Sequence, residues 1–138
     1  CPFGSNEYKE RLRLGFSRLT ESNNSRIGNC YQYIEELSSV SKSLEPLMSW
    51  ENTKVIWRLT FLLSNSIDSI YFTKYLRSNN IHVSNHYWPS HTLFDSNENL
   101  KNSRESSRRI INLWVDSSVD KDYISNSCSV IKKFFTNF

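Results

Sequence analysis

Apolar residues recur at helical spacing near the start of the chain, at Tyr8, Leu12, Phe16 and Leu19. They do so again at Ile27, Tyr31, Ile34 and Leu37, after a polar stretch from Thr20 to Arg26. The pattern predicts one long helix or two stacked ones. Ser38 to Glu51 carries several serines, Pro46 and no sustained period, which predicts a loop. Val55 to Leu63 is a run of β-branched, aromatic and aliphatic residues broken only by Arg58, the mark of a buried strand. Asn65 or Ser66 can then cap a helix with Ile67, Ile70, Tyr71 and Tyr75 on one face. That helix ends at the turn signal Ser78-Asn79-Asn80 and leads into Ile81-His82-Val83, a short strand.

Pro89 forbids a regular helix interior or central strand between Ser84 and Phe94, so this aromatic stretch reads as a loop. A polar helix or loop over Ser96–Arg108 precedes a strand from Arg109 to Val115, carried by Ile110, Ile111, Leu113 and Val115. Ser117 or Ser118 opens the last helix, where Ile124, Cys128, Ile131 and Phe135 form a stripe that Tyr123, Val130 and Phe134 widen to core-facing breadth. Cys128 on that stripe is expected to be a small buried hydrophobe. The order of elements predicts an α+β fold in one domain over residues 1–138: a long N-terminal helix and further helices packed on a small, mainly antiparallel sheet, in two layers.

Composition narrows the classes of function. The chain has 138 residues, enough for one real core, and 14% of them are aromatic, so many rings must find packing partners. No apolar run approaches the roughly 20 residues needed to cross a bilayer, and the polar start from Cys1 to Arg13 does not read as a signal peptide. Three cysteines, Cys1, Cys30 and Cys128, show neither metal-ligand nor redox spacing, so reduced thiols and a cytoplasmic location are expected. The net charge is +3, with acidic and basic residues interleaved, which argues against a nucleic-acid partner. The densest basic spot, Arg104 with Arg108 and Arg109, reads as a solvated face.

The strongest candidate for ligand contact is Asn85-His86-Tyr87-Trp88-Pro89-Ser90-His91, where imidazoles and ring faces sit on a proline-stiffened loop. Its rings can equally pack the loop onto the core. His82, His86 and His91 lack Cys or carboxylate partners at zinc spacing, and no metal is expected. Ser90, His91 and Asp95 lack the glycine-flanked turn of a serine nucleophile, and no Gly-rich phosphate loop is present. Arg58 shares a face with Ile56 and Thr60 by alternation, and there it needs either solvent or a partner. Asn112, Trp114 and Asp116 are expected on the outer face of their strand.

Several pieces in sequence carry a family likeness. Gly15-Phe16-Ser17-Arg18-Leu19 is followed by the step Arg26-Ile27-Gly28-Asn29, then Trp57-Arg58-Leu59, the helix end Tyr75-Leu76-Arg77-Ser78-Asn79-Asn80-Ile81, and His86-Tyr87-Trp88-Pro89-Ser90-His91. In this order they resemble the C-terminal part of the DegT/DnrJ/StrS-type aminotransferases, fold-type-I enzymes that move amino groups onto nucleotide-linked keto-sugars. The hexad is the most specific piece. Asn80 stands where the family has glycine, and Trp114 where it has proline.

The resemblance implies a small domain whose upstream large domain holds pyridoxal phosphate as a lysine Schiff base. His86, Tyr87, Trp88 and His91 would then contact the nucleotide-sugar substrate. It implies no catalytic and no cofactor-binding residue within this chain. The expected partners are its own missing large domain, the nucleotide sugar and a second copy in a homodimer, with no nucleic acid and no membrane. A stand-alone sugar- or protein-binding module derived from such an enzyme is the alternative.

Overall fold

A computed structural model describes residues 5–47, 56–85 and 101–137. Ser5 caps helix α1 (Asn6–Ser17) by accepting from the Tyr8 N–H at 3.2 Å. Helix α2 (Leu19–Glu36) follows after a slight break at Arg18, whose N–H still reaches the Leu14 carbonyl at 3.3 Å. The two stacked helices of the periodicity are therefore nearly one. They differ in environment: α1 buries no residue, whereas α2 buries Cys30 and Tyr33.

A short 3-10 turn (Ser38–Val40) leads to β1 (Leu44–Pro46), which lies where a loop was expected. This three-residue strand is held from outside, by antiparallel pairing of Leu44 with Leu63 and Pro46 with Phe61. Strand β2 (Arg58–Leu63) starts later than the apolar run, leaving Ile56 and Trp57 ahead of it. It pairs along its length with β4 (Ile110–Trp114), and β4 pairs on its far side with β3 (Val83–Ser84). The sheet is antiparallel in the order β1-β2-β4-β3.

Alternation sends Leu59, Phe61 and Leu63 of β2 to one face with Leu44, Val83, Ile111 and Leu113. These merge into one hydrophobic cluster with residues of α2, α3 (Ser69–Ser78) and α5 (Lys121–Thr136). Helix α4 (Lys101–Arg109) feeds directly into β4 and buries nothing. The result is the expected two-layer α+β domain. Phe134 of α5 is its aromatic hub, with ring centroids 4.7 Å from Phe72 and 5.0 Å from Tyr75 of α3.

The helix starts differ from expectation, because carboxylates act where serine or asparagine was predicted. Asp68 caps α3, accepting from the Ile70 N–H at 2.7 Å, and Asp120 caps α5, accepting from Tyr123 at 2.7 Å. An anionic cap also faces the positive end of the helix dipole, which a hydroxyl does not exploit. The buried face of α3 is likewise shifted. Ser69, Phe72, Thr73 and Leu76 point inward, while Ile70 and Tyr71 are 71% and 54% exposed.

At the end of α3 the position of the family's glycine acquires a physical meaning. Asn80 has φ = 61°, in the left-handed region. The Ile81 N–H returns to the Leu76 carbonyl and the Asn80 N–H to that of Arg77, both at 3.0 Å, which closes a Schellman motif. Ile81 and Leu76 are both buried and supply its hydrophobic contact. Asparagine is the side chain that best tolerates this backbone after glycine.

Candidate functional site

His86, Tyr87, Trp88 and His91 lie outside the described residues, but the element that delivers them does not. Ser84 of β3 stands opposite Asn112 of β4, on the sheet face turned away from the helices. On that face β2 contributes Arg58 and Thr60, and β4 contributes Asn112 and Trp114, with Arg58 opposite Trp114 and Thr60 opposite Asn112. The strand immediately preceding the His86 to His91 segment thus adjoins a polar, aromatic surface.

Arg58 is neither free in solvent nor unpaired. Its guanidinium lies 3.8 Å over the Trp114 indole and 4.8 Å from that of Trp57, and Nη1 donates to Asp116 Oδ2 at 3.2 Å. The side chains of Arg58 and Asp116 are only 16% and 24% exposed. Asp116 Oδ1 accepts from both the N–H and the hydroxyl of Ser118. Those Ser118 bonds first, and then the positive charges of Arg58 and Arg26, hold its carboxyl below the usual range against the opposing effect of burial. Asp116 is consequently ionised at neutral pH. Ile56, expected beside Arg58, is instead buried ahead of the strand.

Thr60 Oγ1 donates to Asn112 Oδ1 at 2.7 Å, and Asn112 is 2% exposed, so this outer-face residue is more covered than an outward position implies. His82 continues the aromatic row. Its ring stacks on Tyr123 at 5.8 Å and lies 6.2 Å from Trp114, while the His82 backbone N–H donates to the Tyr123 hydroxyl at 2.6 Å. From Tyr123 through His82, Trp114 and Arg58 to Trp57, π faces and a cation form one continuous ladder. Among the described residues no cluster of His, Cys, Asp and Glu could hold a metal ion.

The step Arg26-Ile27-Gly28-Asn29 proves to be a clamp. Arg26 Nη1 donates to the Ile56 and Trp57 carbonyls, each at 3.3 Å, and Asn29 Nδ2 donates to those of Val115 and Val119 at 3.0 and 3.1 Å. Asn23 accepts from the Ile56 N–H at 3.1 Å. One face of α2 therefore pins the entry of β2 and the exit of β4, the two points that fix Arg58, Trp114 and Asp116. Sequence reasoning found the motif and missed this role, since the acceptors are backbone carbonyls remote in the chain.

The deciding comparison is with family models, where that of the DegT/DnrJ/EryC1/StrS aminotransferase family matches residues 12–132. The chain belongs to this family. A similar fold is seen in solved structures. One is the aminotransferase TlmJ from Streptoalloteichus hindustanus, at TM-score 0.78 and 12% identity, covering 91% of this chain and 35% of that one. A second is S. venezuelae DesV in complex with a ketimine intermediate, at 0.75 and 14%, covering 89% and 34%. A third is Helicobacter pylori PseC, an aminotransferase involved in the biosynthesis of pseudoaminic acid, at 0.65 and 18%, covering 83% and 33%. The chain thus spans about a third of the length of these three solved chains. No curated protein matches its sequence.

Proposed function

We propose that this chain is the C-terminal small domain of a pyridoxal-phosphate-dependent aminotransferase acting on nucleotide-linked keto-sugars, and that it shapes the acceptor side of the active site. The observation that carries this is the family match over 12–132 in a chain that spans only a third of its structural neighbours. The described residues do not fit the cofactor itself. Its aldehyde needs a lysine amine, whereas the cation on the outer sheet face is Arg58, engaged by Asp116. In this reading the cofactor and its lysine belong to another part of a longer protein, and no chemical step is assigned to residues of this chain.

What the chain contributes is position. The sheet and its α2 clamp present the strand end at Ser84, and the segment that follows, with His86, Tyr87, Trp88 and His91, offers imidazoles and rings to a sugar nucleotide. Helix α1 supports a missing partner. Its Leu12 and Phe16 are exposed and recur four apart on one face, and that apolar stripe, uncovered among the described residues, fits the flank of the large domain. The parent is a cytoplasmic homodimer in this reading.

The test is the intact mass of the protein carrying this segment in its source cells, with borohydride reduction to trap a pyridoxyl-lysine. A protein of about three times the 16.3 kDa of this segment that carries the adduct outside it is expected. A 16.3 kDa species without adduct would overturn the proposal and leave a free-standing binding module.

A further inference from the structure

Strand β3 consists of Val83 and Ser84, at the edge of the sheet. Its two pairs with β4, Val83 with Leu113 and Ser84 with Asn112, are few, since a strand usually runs to at least about three residues. Further hold comes from side chains of the two neighbouring helices. Arg77, in the last turn of α3, donates Nε and Nη2 to the Val83 carbonyl at 3.3 and 3.0 Å. Tyr123, in the first turn of α5, takes the His82 backbone N–H on its hydroxyl at 2.6 Å and stacks on the His82 ring with 18° between the planes.

Tyr123 is itself held in place. Its backbone N–H donates to Asp120, the cap of α5, at 2.7 Å, and its ring is half-buried against the core. The same end of α5 is tied to α2, where Gln32 donates to the Lys121 carbonyl at 3.2 Å. A tyrosine side chain has only two χ angles, so anchoring its hydroxyl costs little conformational entropy. Packing alone does not call for that hydroxyl, because on the apolar stripe of α5 a phenylalanine would fill the same space. The oxygen is what joins the last helix to the backbone one residue ahead of β3.

We propose that Tyr123 is a positioning residue for the acceptor side of the parent enzyme: its hydroxyl, through the His82 backbone, sets where β3 lies on the sheet and so where the chain leaves it after Asn85. The inference rests on the reading that the segment beyond Asn85 meets the nucleotide-linked keto-sugar, and it adds to that reading a residue of the last helix. Tyr123 acts through His82 and is given no contact with acceptor or cofactor. Without its oxygen, β3 keeps only Arg77 and two ladder pairs to hold its leading end. The effect on binding is expected to be large, because a misplacement of about 1 Å can cost on the order of 100-fold in activity.

Tyr123→Phe keeps the ring and its stacking and removes the accepting oxygen. Ser125→Ala is the control, since it breaks a bond of the same helix, to Glu36 at 2.8 Å, without touching β3. Hydrogen exchange on the 138-residue chain should show the His82 amide exchanging at least about fivefold faster in Y123F, and within about twofold of wild type in S125A. The second measurement uses the full-length protein that carries this segment, with a UDP-linked keto-hexose as acceptor and glutamate as donor. Y123F should raise the acceptor KM about fivefold or more and leave the donor KM within about twofold, and S125A should change neither. His82 exchange equal to wild type, an unchanged acceptor KM, or acceptor and donor KM raised alike would overturn the role given to Tyr123. A wild type that does not transaminate this acceptor, with His82 exchange still faster in Y123F, would overturn the acceptor reading and the role built on it, and leave Tyr123 a fastener of β3 alone.

Discussion

Asn80 and Asp116 show how single residues set local terms of stability. The left-handed backbone at Asn80 predicts that Asn80→Ala costs about 1 kcal/mol, while Asn80→Gly is neutral or slightly stabilising. Urea denaturation of the two variants checks this, and equal losses in both would refute it. Asp116 predicts a pH dependence. Because its carboxyl is held below the ordinary value, its contribution is complete above about pH 4 and is lost as the pH falls further. Asp116→Asn should cost about 1 kcal/mol at neutral pH, and the difference from wild type should shrink under acid. A constant difference from pH 7 to pH 2 would exclude the Arg58 pair as its source. Burial pushes the thiols of Cys30 and Cys128 up to about 12, Glu36 adding to the shift at Cys128, so both behave as the apolar residues that the periodicity made of Cys128.

At the scale of elements, what was legible in the sequence is what local pattern encodes. The stripe Ile124, Cys128 and Ile131 in α5 is fully buried, as its spacing predicts. β1 was illegible because three residues with a proline carry no period, and its strand character comes from pairing with β2. The phase of α3 was misread for the opposite reason. Ile70 and Tyr71 are the more apolar side chains, but the inward face is the one that places short Ser69 and Thr73 beside Phe72 and Leu76. The α2 clamp could not be read from any window, since it joins residues tens of positions apart. The clamp makes a prediction of its own. Asn29→Ala removes both bonds to the carbonyls of Val115 and Val119, and should cost about 1–3 kcal/mol. A melting temperature unchanged from wild type would show that α2 does not hold the exit of β4.

For the whole molecule, the contrast between α1 and the rest is the dominant feature. With Leu14 at 53% and Phe16 at 68% exposure, the isolated chain should bind a hydrophobic dye or self-associate. Leu14→Glu with Phe16→Glu should abolish this without loss of melting temperature, because neither side chain belongs to the core. A clean, dye-free monomer of the unmodified chain would count against a covering large domain.

The pairing of distant elements also bears on synthesis. Thr60 of β2 bonds Asn112 of β4 across 52 positions, and Glu36 at the end of α2 accepts from Ser125 of α5 across 89. Contacts of such span form late and slowly. On the ribosome, α2 lacks its α5 neighbour until α5 clears the exit tunnel, and β2 waits half-paired for β4. A premature stop anywhere ahead of Ile131 would release a chain with an open core, marked for proteolysis rather than for partial function.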